Sequence, residues 1–185
     1  IHTQRDLLGE LRSEIQRSGI HKIVVLDDDP TGTQTVANVP VYTGWDEESI
    51  KDIFANEYLL NFILTNSRAF SEEKTVQVHQ EIALNLKKSA AVTEKKYLLI
   101  SRADSTLRGH YPTETEVLRR ELEKDNTICF DGEVICPYFA EGGRYTIDNV
   151  HYVRYGSELI PAAETEFAKD ETFGYHESDL KKYIH

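Results

Sequence analysis

The sequence predicts an α/β fold: a mostly parallel sheet with helices on both faces, plus a C-terminal β-hairpin and short helices. Short aliphatic runs alternate with stretches of helical periodicity, as in chains that build parallel sheets. Residues 23–26 form a continuous apolar run rich in β-branched side chains, which is typical of a strand buried on both faces. Unusual polar loops follow several of these runs, and ligands of open α/β sheets bind at the carboxyl ends of the strands.

Five strands are predicted for the parallel sheet, each from a short apolar run. They cover residues 23–26, 39–43, 61–65, 97–100 and 133–136. The second run contains Pro40, and because proline cannot donate a ladder hydrogen bond, that strand is expected at an edge of the sheet.

Four helices are predicted from apolar side chains at helical spacing. The first covers residues 3–18, with Thr3 as its N-cap. The next two begin after Asp46 and Ser71, whose side chains suit N-caps, and the fourth begins at Pro112, which suits a first turn. Each helix is expected to bury its apolar stripe against the sheet.

The C-terminal part follows a different pattern. Residues 145–154 alternate around Asp148 and Asn149, which predicts a β-hairpin. Residues 161–185 are charged and aromatic, and short helices are expected there. Their Phe and Tyr side chains indicate packing against the sheet or against a further domain.

The charge balance narrows the possible partners. The net charge is -11 at pH 7 and no basic stripe offsets it, so a nucleic-acid partner is not expected. No apolar run approaches the roughly 20 residues of a membrane-spanning helix, and no signal peptide is visible. We therefore expect a cytoplasmic protein in which Cys129 and Cys136 are buried thiols.

Polar loops follow four of the predicted strands and should meet at one edge of a parallel sheet. Two are distinctive: residues 27–33 (the acidic loop), with three adjacent aspartates, and residues 101–110 (the arginine loop). The side chains expected in one crevice are Asp27, Asp28, Asp29, Thr31, Asn66, Arg68, Arg102, Asp104, Ser105, Arg108, Glu141 and Arg144. Arginines bind carboxylates or phosphates, and carboxylates and hydroxyls bind sugar hydroxyls. The expected ligand is small, acidic and polyhydroxylated.

Plainer interpretations of these loops remain open. The acidic loop could be a solvated turn, and the arginine loop could cap a helix through internal Arg–Asp pairs. No GKS or GKT follows Gly32, so the signal of a phosphate-binding loop is absent.

One hypothesis is a phosphatase of the haloacid-dehalogenase type. Asp27, Asp29 and Thr31 follow an apolar strand with the spacing of that family's nucleophile motif, and NFILTN resembles its second motif. Asp27 would attack phosphorus and Asp29 would act as acid and base. Two features oppose it: Pro30 replaces the usual glycine, and no later strand ends in the acidic pair that would complete a Mg²⁺ site.

A second resemblance covers most of the chain and is carried by five segments: LDDDPTGTQT, LTNSRAF, SRADSTLRGHYPTE, PYFAEGGRYTIDNVHYV and PAAETEFAKDETFGY. They are similar to the N-terminal, sugar-binding domain of the four-carbon acid sugar kinase family, from about residue 22 to residue 175. In that family a C-terminal domain binds ATP, and acid sugars such as 3-oxo-tetronate, threonate or erythronate are phosphorylated between the domains. The resemblance implies that residues 1–185 are the substrate domain of a longer kinase, inactive without its ATP domain. The start at Ile1 and the absence of Met agree with this expectation.

Roles follow from the resemblance and the loops together. Arg102 and Arg108 would bind the substrate carboxylate, and Asp28 and Asp104 would bind its hydroxyls. Either aspartate, or a residue of the missing ATP domain, would be the catalytic base. Asp27 would be structural or would contact a water of Mg²⁺. The complete set of expected substrate-binding residues is Asp27, Asp28, Thr31, Arg68, Ser101, Arg102, Asp104, Ser105, Arg108, Gly109 and Arg144.

The same resemblance indicates which cofactors and partners to expect. ATP and Mg²⁺ are expected mainly on the nucleotide-binding domain, with no cofactor site in this chain and any metal ligand in it unknown. Self-association into a homo-oligomer is also expected. A third hypothesis is a binding module that holds a carboxylate ligand and performs no chemistry.

Overall fold

The predicted fold class is confirmed by a computed structural model, which describes residues 7–126 and 128–184. A four-stranded parallel sheet flanked by helices comes first, and a three-stranded antiparallel sheet follows near the C-terminus. The predicted N-cap Thr3 lies outside the described residues.

The parallel sheet has the strand order β2-β3-β1-β4. Its strands are β1 Ile20–Asp27, β2 Val41–Tyr42, β3 Leu60–Leu64 and β4 Lys96–Arg102. The short strand β2 lies at one edge, as its proline predicted, and β1 lies between β3 and β4. The acidic loop therefore leaves the sheet from a central strand.

Within residues 7–126 and 128–184, five α-helices accompany the two sheets. They are α1 Leu7–Ser18, α2 Glu47–Ala55, α3 Glu72–Thr93, α4 Thr113–Glu123 and α5 Leu180–Tyr183. Asp46 caps α2 by accepting from the amides of Glu48 and Ser49, and Ser71 caps α3 by accepting from Lys74. Both predicted caps are confirmed.

The main core lies between the sheet and helices α2, α3 and α4. Val24, Leu26 and Ile63 of the sheet pack with Phe54 of α2 and Ile82 of α3, all buried. On the opposite face, register aligns Val41, Phe62, Val25 and Ile100 in one apolar row. The side chains of this row are exposed at the two edge strands and buried only at the centre.

The antiparallel sheet is larger than the predicted hairpin. Its strands are β5 Arg144–Ile147, β6 Val150–Tyr155 and β7 Glu158–Pro161. The first two strands form the hairpin turned at Asp148 and Asn149, both with positive φ. The third strand was not predicted, because its short run gave too little alternation to separate it from a loop.

Three sequence-based expectations were wrong. Residues 133–136 form no strand, and Val134 is 92% exposed, because apolar composition alone does not supply a pairing partner. Cys129 and Cys136, expected to be buried, are exposed in the same irregular segment. The apolar side chains of Leu7 and Leu11 on α1 are also exposed rather than packed on the sheet.

Within the described residues, no helix has both the length and the apolar character needed to cross a bilayer.

Candidate functional site

The carboxyl ends of β1, β3 and β4 bring together three of the four polar loops that were predicted to meet. The fourth, residues 141–144, follows no strand of the parallel sheet. Asp27 is in register with Leu64 on one side and Arg102 on the other. Backbone hydrogen bonds join the loops: the amide of Thr65 donates to the carbonyl of Asp27 at 2.9 Å, and the amide of Arg68 donates to that of Asp28 at 3.2 Å. The aspartates and arginines therefore share one edge of the sheet.

Asp27 lies at the bottom of this edge and is 0% exposed. Its Oδ1 accepts from Arg102 Nη1 at 3.2 Å, while Oδ2 has no hydrogen-bond partner among the described residues. Burial raises the pKa of Asp27, and the neighbouring Arg102 opposes that shift. Gly32 covers the carboxylate so closely that a Cβ there would lie 1.8 Å from Oδ2. The acidic loop thus encloses a carboxylate oxygen, Asp27 Oδ2, that accepts no hydrogen bond from a described residue.

Asp28 forms a bidentate ion pair with Arg68. Its two oxygens accept from Arg68, at 2.6 Å from Nη2 to Oδ1 and 3.0 Å from Nε to Oδ2. Two parallel charge-assisted bonds fix both side chains. Burial raises the pKa of Asp28 to about 6, although the bond from Arg68 opposes the shift. Gly109 of the arginine loop lies against Oδ2 of the same carboxylate.

Asp29 and Thr31 hold the acidic loop in its turn. Asp29 Oδ1 accepts from the amide of Thr31 at 2.8 Å and from the Thr31 hydroxyl, and the hydroxyl bond lowers the pKa of Asp29. Asp29 also lies 3.4 Å from Arg68 Nη1. These contacts are local, so in this structure Asp29 and Thr31 shape the loop.

The arginine loop is built around Asp104. This carboxylate accepts from Arg108 Nε at 2.7 Å and from the hydroxyl of Thr106. Burial would raise the pKa of Asp104, but these two bonds outweigh it and lower the pKa. Arg108 also reaches Asp170, with 3.7 Å between Nη1 and Oδ2. Asp28 and Asp104 therefore have pKa values shifted in opposite directions.

Arg144 reaches the arginine loop through an aromatic ring. Its Cζ lies 5.4 Å from the ring centroid of Phe167, and the Cζ of Arg108 lies 5.2 Å from the same centroid. Arg68, Arg102 and Arg108 each pair with a carboxylate, whereas Arg144 forms no ion pair with a described residue. Its Nε is buried without a partner there. Arg144 thus makes no direct ion pair with a described residue, although Glu166 is close enough to interact with its charge.

The remaining predicted residues have weaker connections. Ser101 lies on β4 in register with Leu26, and Ser105 contributes its carbonyl to a hydrogen bond from His151. Asn66 is exposed with φ of 54°. Glu141 is exposed and makes no recorded hydrogen bond or ion pair with a described residue, so the structure does not join it to the crevice.

Sequence reasoning missed several neighbours of the site. Beneath the loops, buried Glu114 accepts from Ser67 Oγ at 2.6 Å and lies 3.8 Å from His79 Nε2. Phe167 and Asp170 flank Arg108 from the C-terminal region. These residues lie in ordinary helical or loop sequence, which gave no signal of their position.

No group of three or more His, Cys, Asp or Glu side chains suited to a metal ion occurs in the described ranges. The arginines beside the aspartates explain why, because guanidinium groups occupy the places next to the carboxylates.

Comparison with known proteins defines the class of this fold and site. Residues 23–185 match the family described as sugar-binding N-terminal domain. The chain belongs to this family, and the resemblance to the N-terminal domain of the four-carbon acid sugar kinases is confirmed. No curated protein matches the chain.

Two solved structures share the fold. One is a domain of unknown function from Bordetella bronchiseptica, a domain-swapped dimer with bound citrate; it is 23% identical, with a TM-score of 0.62. The other is described as a putative tRNA synthase from Salmonella typhimurium LT2, 18% identical with a TM-score of 0.63. The matches cover 88% and 89% of this chain but only 39% and 38% of those proteins. The chain therefore spans about two fifths of the length of the structures it matches.

Proposed function

We propose that this chain is the substrate-binding half of an ATP-dependent kinase that phosphorylates a four-carbon acid sugar of the 3-oxo-tetronate, threonate or erythronate type. The observation that carries the proposal is the set of three ion pairs at one sheet edge. They join Asp27 to Arg102, Asp28 to Arg68 and Asp104 to Arg108. Such a surface offers acceptors for hydroxyls and donors for a carboxylate.

The ion pairs refine the expected roles. Arg102 and Arg108 each hold an aspartate, so a substrate carboxylate would bind to the edges of their guanidinium groups that these aspartates leave open. The buried Nε of Arg144 has no hydrogen-bond partner among the described residues, and Arg144 would supply additional attraction for an anion. The buried, unpartnered Oδ2 of Asp27 favours the structural role over a Mg²⁺ contact, because Gly32 separates it from solvent.

Of the two candidates for the base, the pKa shifts favour Asp28. A base works best when its pKa is near the working pH. Burial raises the pKa of Asp28 to about 6, whereas hydrogen bonds to Arg108 and Thr106 lower that of Asp104 despite burial. Asp28 would accept the proton of the substrate hydroxyl that attacks phosphorus, and Asp104 would hold a neighbouring hydroxyl as an ionised acceptor.

Phosphoryl transfer also needs a nucleotide, which we assign to a C-terminal domain outside these residues. ATP and Mg²⁺ would bind mainly there and would supply the phosphoryl group and its charge neutralisation. The isolated chain would then bind substrate without turnover, in the cytoplasm where ATP is available. The domain-swapped dimer of the Bordetella protein supports a homo-oligomer here as well.

The phosphatase alternative gains no support. A nucleophilic Asp27 would have to reach phosphorus, but it is buried beneath Gly32 and bonded to Arg102.

Calorimetric titration tests the proposal. D-threonate or D-erythronate is expected to bind, while threitol, which lacks the carboxylate, binds at least about 10-fold more weakly, and ATP does not bind. Arg108→Ala should weaken acid binding about 10-fold or more, the loss of a charge-assisted pair. Arg119→Ala removes an exposed arginine of α4 and should leave binding unchanged.

Two results would contradict the proposal. Equal binding of threonate by wild type and Arg108→Ala would refute the site assignment. Hydrolysis of p-nitrophenyl phosphate that disappears in Asp27→Asn would instead favour the phosphatase.

A further inference from the structure

Three successive carbonyl groups of the arginine loop accept hydrogen bonds from three side chains of the C-terminal region. His151 Nε2 lies 2.8 Å from the carbonyl of Ser105. The hydroxyl of Tyr175 donates to the carbonyl of Thr106 at 2.7 Å, and that of Tyr183 donates to the carbonyl of Leu107 at 2.9 Å. The partners are 46, 69 and 76 residues apart in sequence, so no local turn produces this arrangement.

The three donor side chains are themselves held in place. His151 of β6 is fully buried, and its Nδ1 lies 3.0 Å from the hydroxyl of Thr146 on β5. The ring of Tyr183 stacks on Tyr111, with centroids 5.6 Å apart, and packs edge-on against Tyr175. Because the donors are rigid, the carbonyls they hold cannot turn freely.

The loop adopts a conformation that needs such support. Leu107 has φ of 68° and Gly109 has φ of 141°. A non-glycine residue at positive φ is uncommon and persists where surrounding contacts determine it. The carbonyl of Leu107 is one of the three that are held.

The geometry of the peptide unit determines where the amides next to these carbonyls point. In a trans peptide the C=O and the following N–H point in opposite directions. With the carbonyls of Ser105 and Leu107 directed at His151 and Tyr183, the amides of Thr106 and Arg108 point away from these side chains. Neither amide has a hydrogen-bond acceptor in the part of the chain that the structure describes. Thr106 is 1% exposed, so its amide is closed to a ligand, whereas half-buried Arg108 keeps an unused backbone donor next to its own guanidinium.

We propose that His151, Tyr175 and Tyr183 are positioning residues that fix the arginine loop by its carbonyls, so that the amide of Arg108 binds the substrate carboxylate together with the Arg108 side chain. This inference rests on the proposed function of the site. It makes the C-terminal antiparallel sheet and α5 part of the substrate-binding apparatus, although they need not touch the substrate.

Removal of single hydroxyls tests the proposal with little change in shape. Tyr183→Phe and the double variant Tyr175→Phe/Tyr183→Phe are compared with Tyr155→Phe. Tyr155 lies on β6, and its hydroxyl donates to Glu166 at 2.5 Å, away from the arginine loop. For each protein we would measure D-threonate affinity by calorimetry, the melting temperature without ligand, and amide hydrogen exchange of residues 103–110.

Tyr183→Phe should weaken threonate binding about 3- to 10-fold, as expected for one lost hydrogen bond, and the double variant about 10- to 100-fold. Exchange should accelerate in residues 103–110 in both, while Tyr155→Phe binds and exchanges there as wild type. Tyr183→His restores a hydrogen-bond donor at this position. If it binds threonate more tightly than Tyr183→Phe does, that result supports the positioning role.

The outcomes separate this inference from the proposed function. If wild type binds no sugar acid, the proposed function fails, and this inference fails with it. If wild type binds threonate but the double variant binds it equally well, or if Tyr155→Phe loses as much affinity, only the positioning role is refuted.

Discussion

At the scale of single residues, the site depends on how closely the backbone approaches a buried carboxylate. A Cβ at Gly32 would lie 1.8 Å from Asp27 Oδ2 and 2.2 Å from Arg102 Nη1. No real side chain fits there without displacing this pair. Gly32 is therefore required by the packing of the acidic loop onto Asp27.

Gly32→Ala should destabilise the protein by about 1–3 kcal/mol, the usual cost of overpacking, and should weaken acid binding by shifting Arg102. Gly132→Ala is the matched control, because a Cβ there meets nothing within 4 Å. Urea unfolding of the two variants gives the comparison. Equal stability of both would show that the acidic loop can move aside without cost.

The residues of the site were predictable where they end a strand and not elsewhere. Asp27 and Arg102 were found because parallel strands must end at a common edge, and their predicted meeting is confirmed by the ion pair. Phe167 and His151 were missed because periodicity says nothing about where a C-terminal segment lies relative to the sheet. The substrate-binding roles of all these residues stay predictions.

At the scale of elements, helices were predicted better than strands. The caps Asp46 and Ser71 gave α2 and α3 nearly their observed starts, because a capping side chain satisfies specific amides. The run at residues 133–136 failed because a strand needs a partner, and β4 remains the last strand of the parallel sheet. Whether a segment forms a β-strand therefore depends more on residues distant in sequence than whether it forms a helix.

Helix α3 offers a test of the core that supports the site. Ile82 is 0% exposed against the sheet, so Ile82→Ala should lower the free energy of unfolding by about 2–5 kcal/mol through the cavity it leaves. Leu84 on the same helix is 51% exposed, and Leu84→Ala should cost far less. Chemical denaturation monitored by circular dichroism would measure both. Similar losses for the two variants would mean that α3 packs in a different rotation.

At the scale of the whole molecule, two sheets with different cores meet at one set of loops. The first core places the acidic loop on β1, and the second, around Val153, Ala162 and Tyr175, places side chains against the arginine loop. The chain carries a net charge of -11, yet at this edge Arg68, Arg102 and Arg108 lie beside Asp28, Asp27 and Asp104 and balance their charges. Guanidinium groups placed in this way let a small anion bind to an otherwise acidic protein.

The most direct test of this account is a crystal structure of the chain with D-threonate bound. We expect the carboxylate within hydrogen-bonding distance of Arg102 or Arg108, and a hydroxyl in contact with Asp28. Ligand bound instead in the shallow cleft beside α2, lined by Tyr42, Ser49 and Asp52, with the edge of the parallel sheet empty, would contradict it.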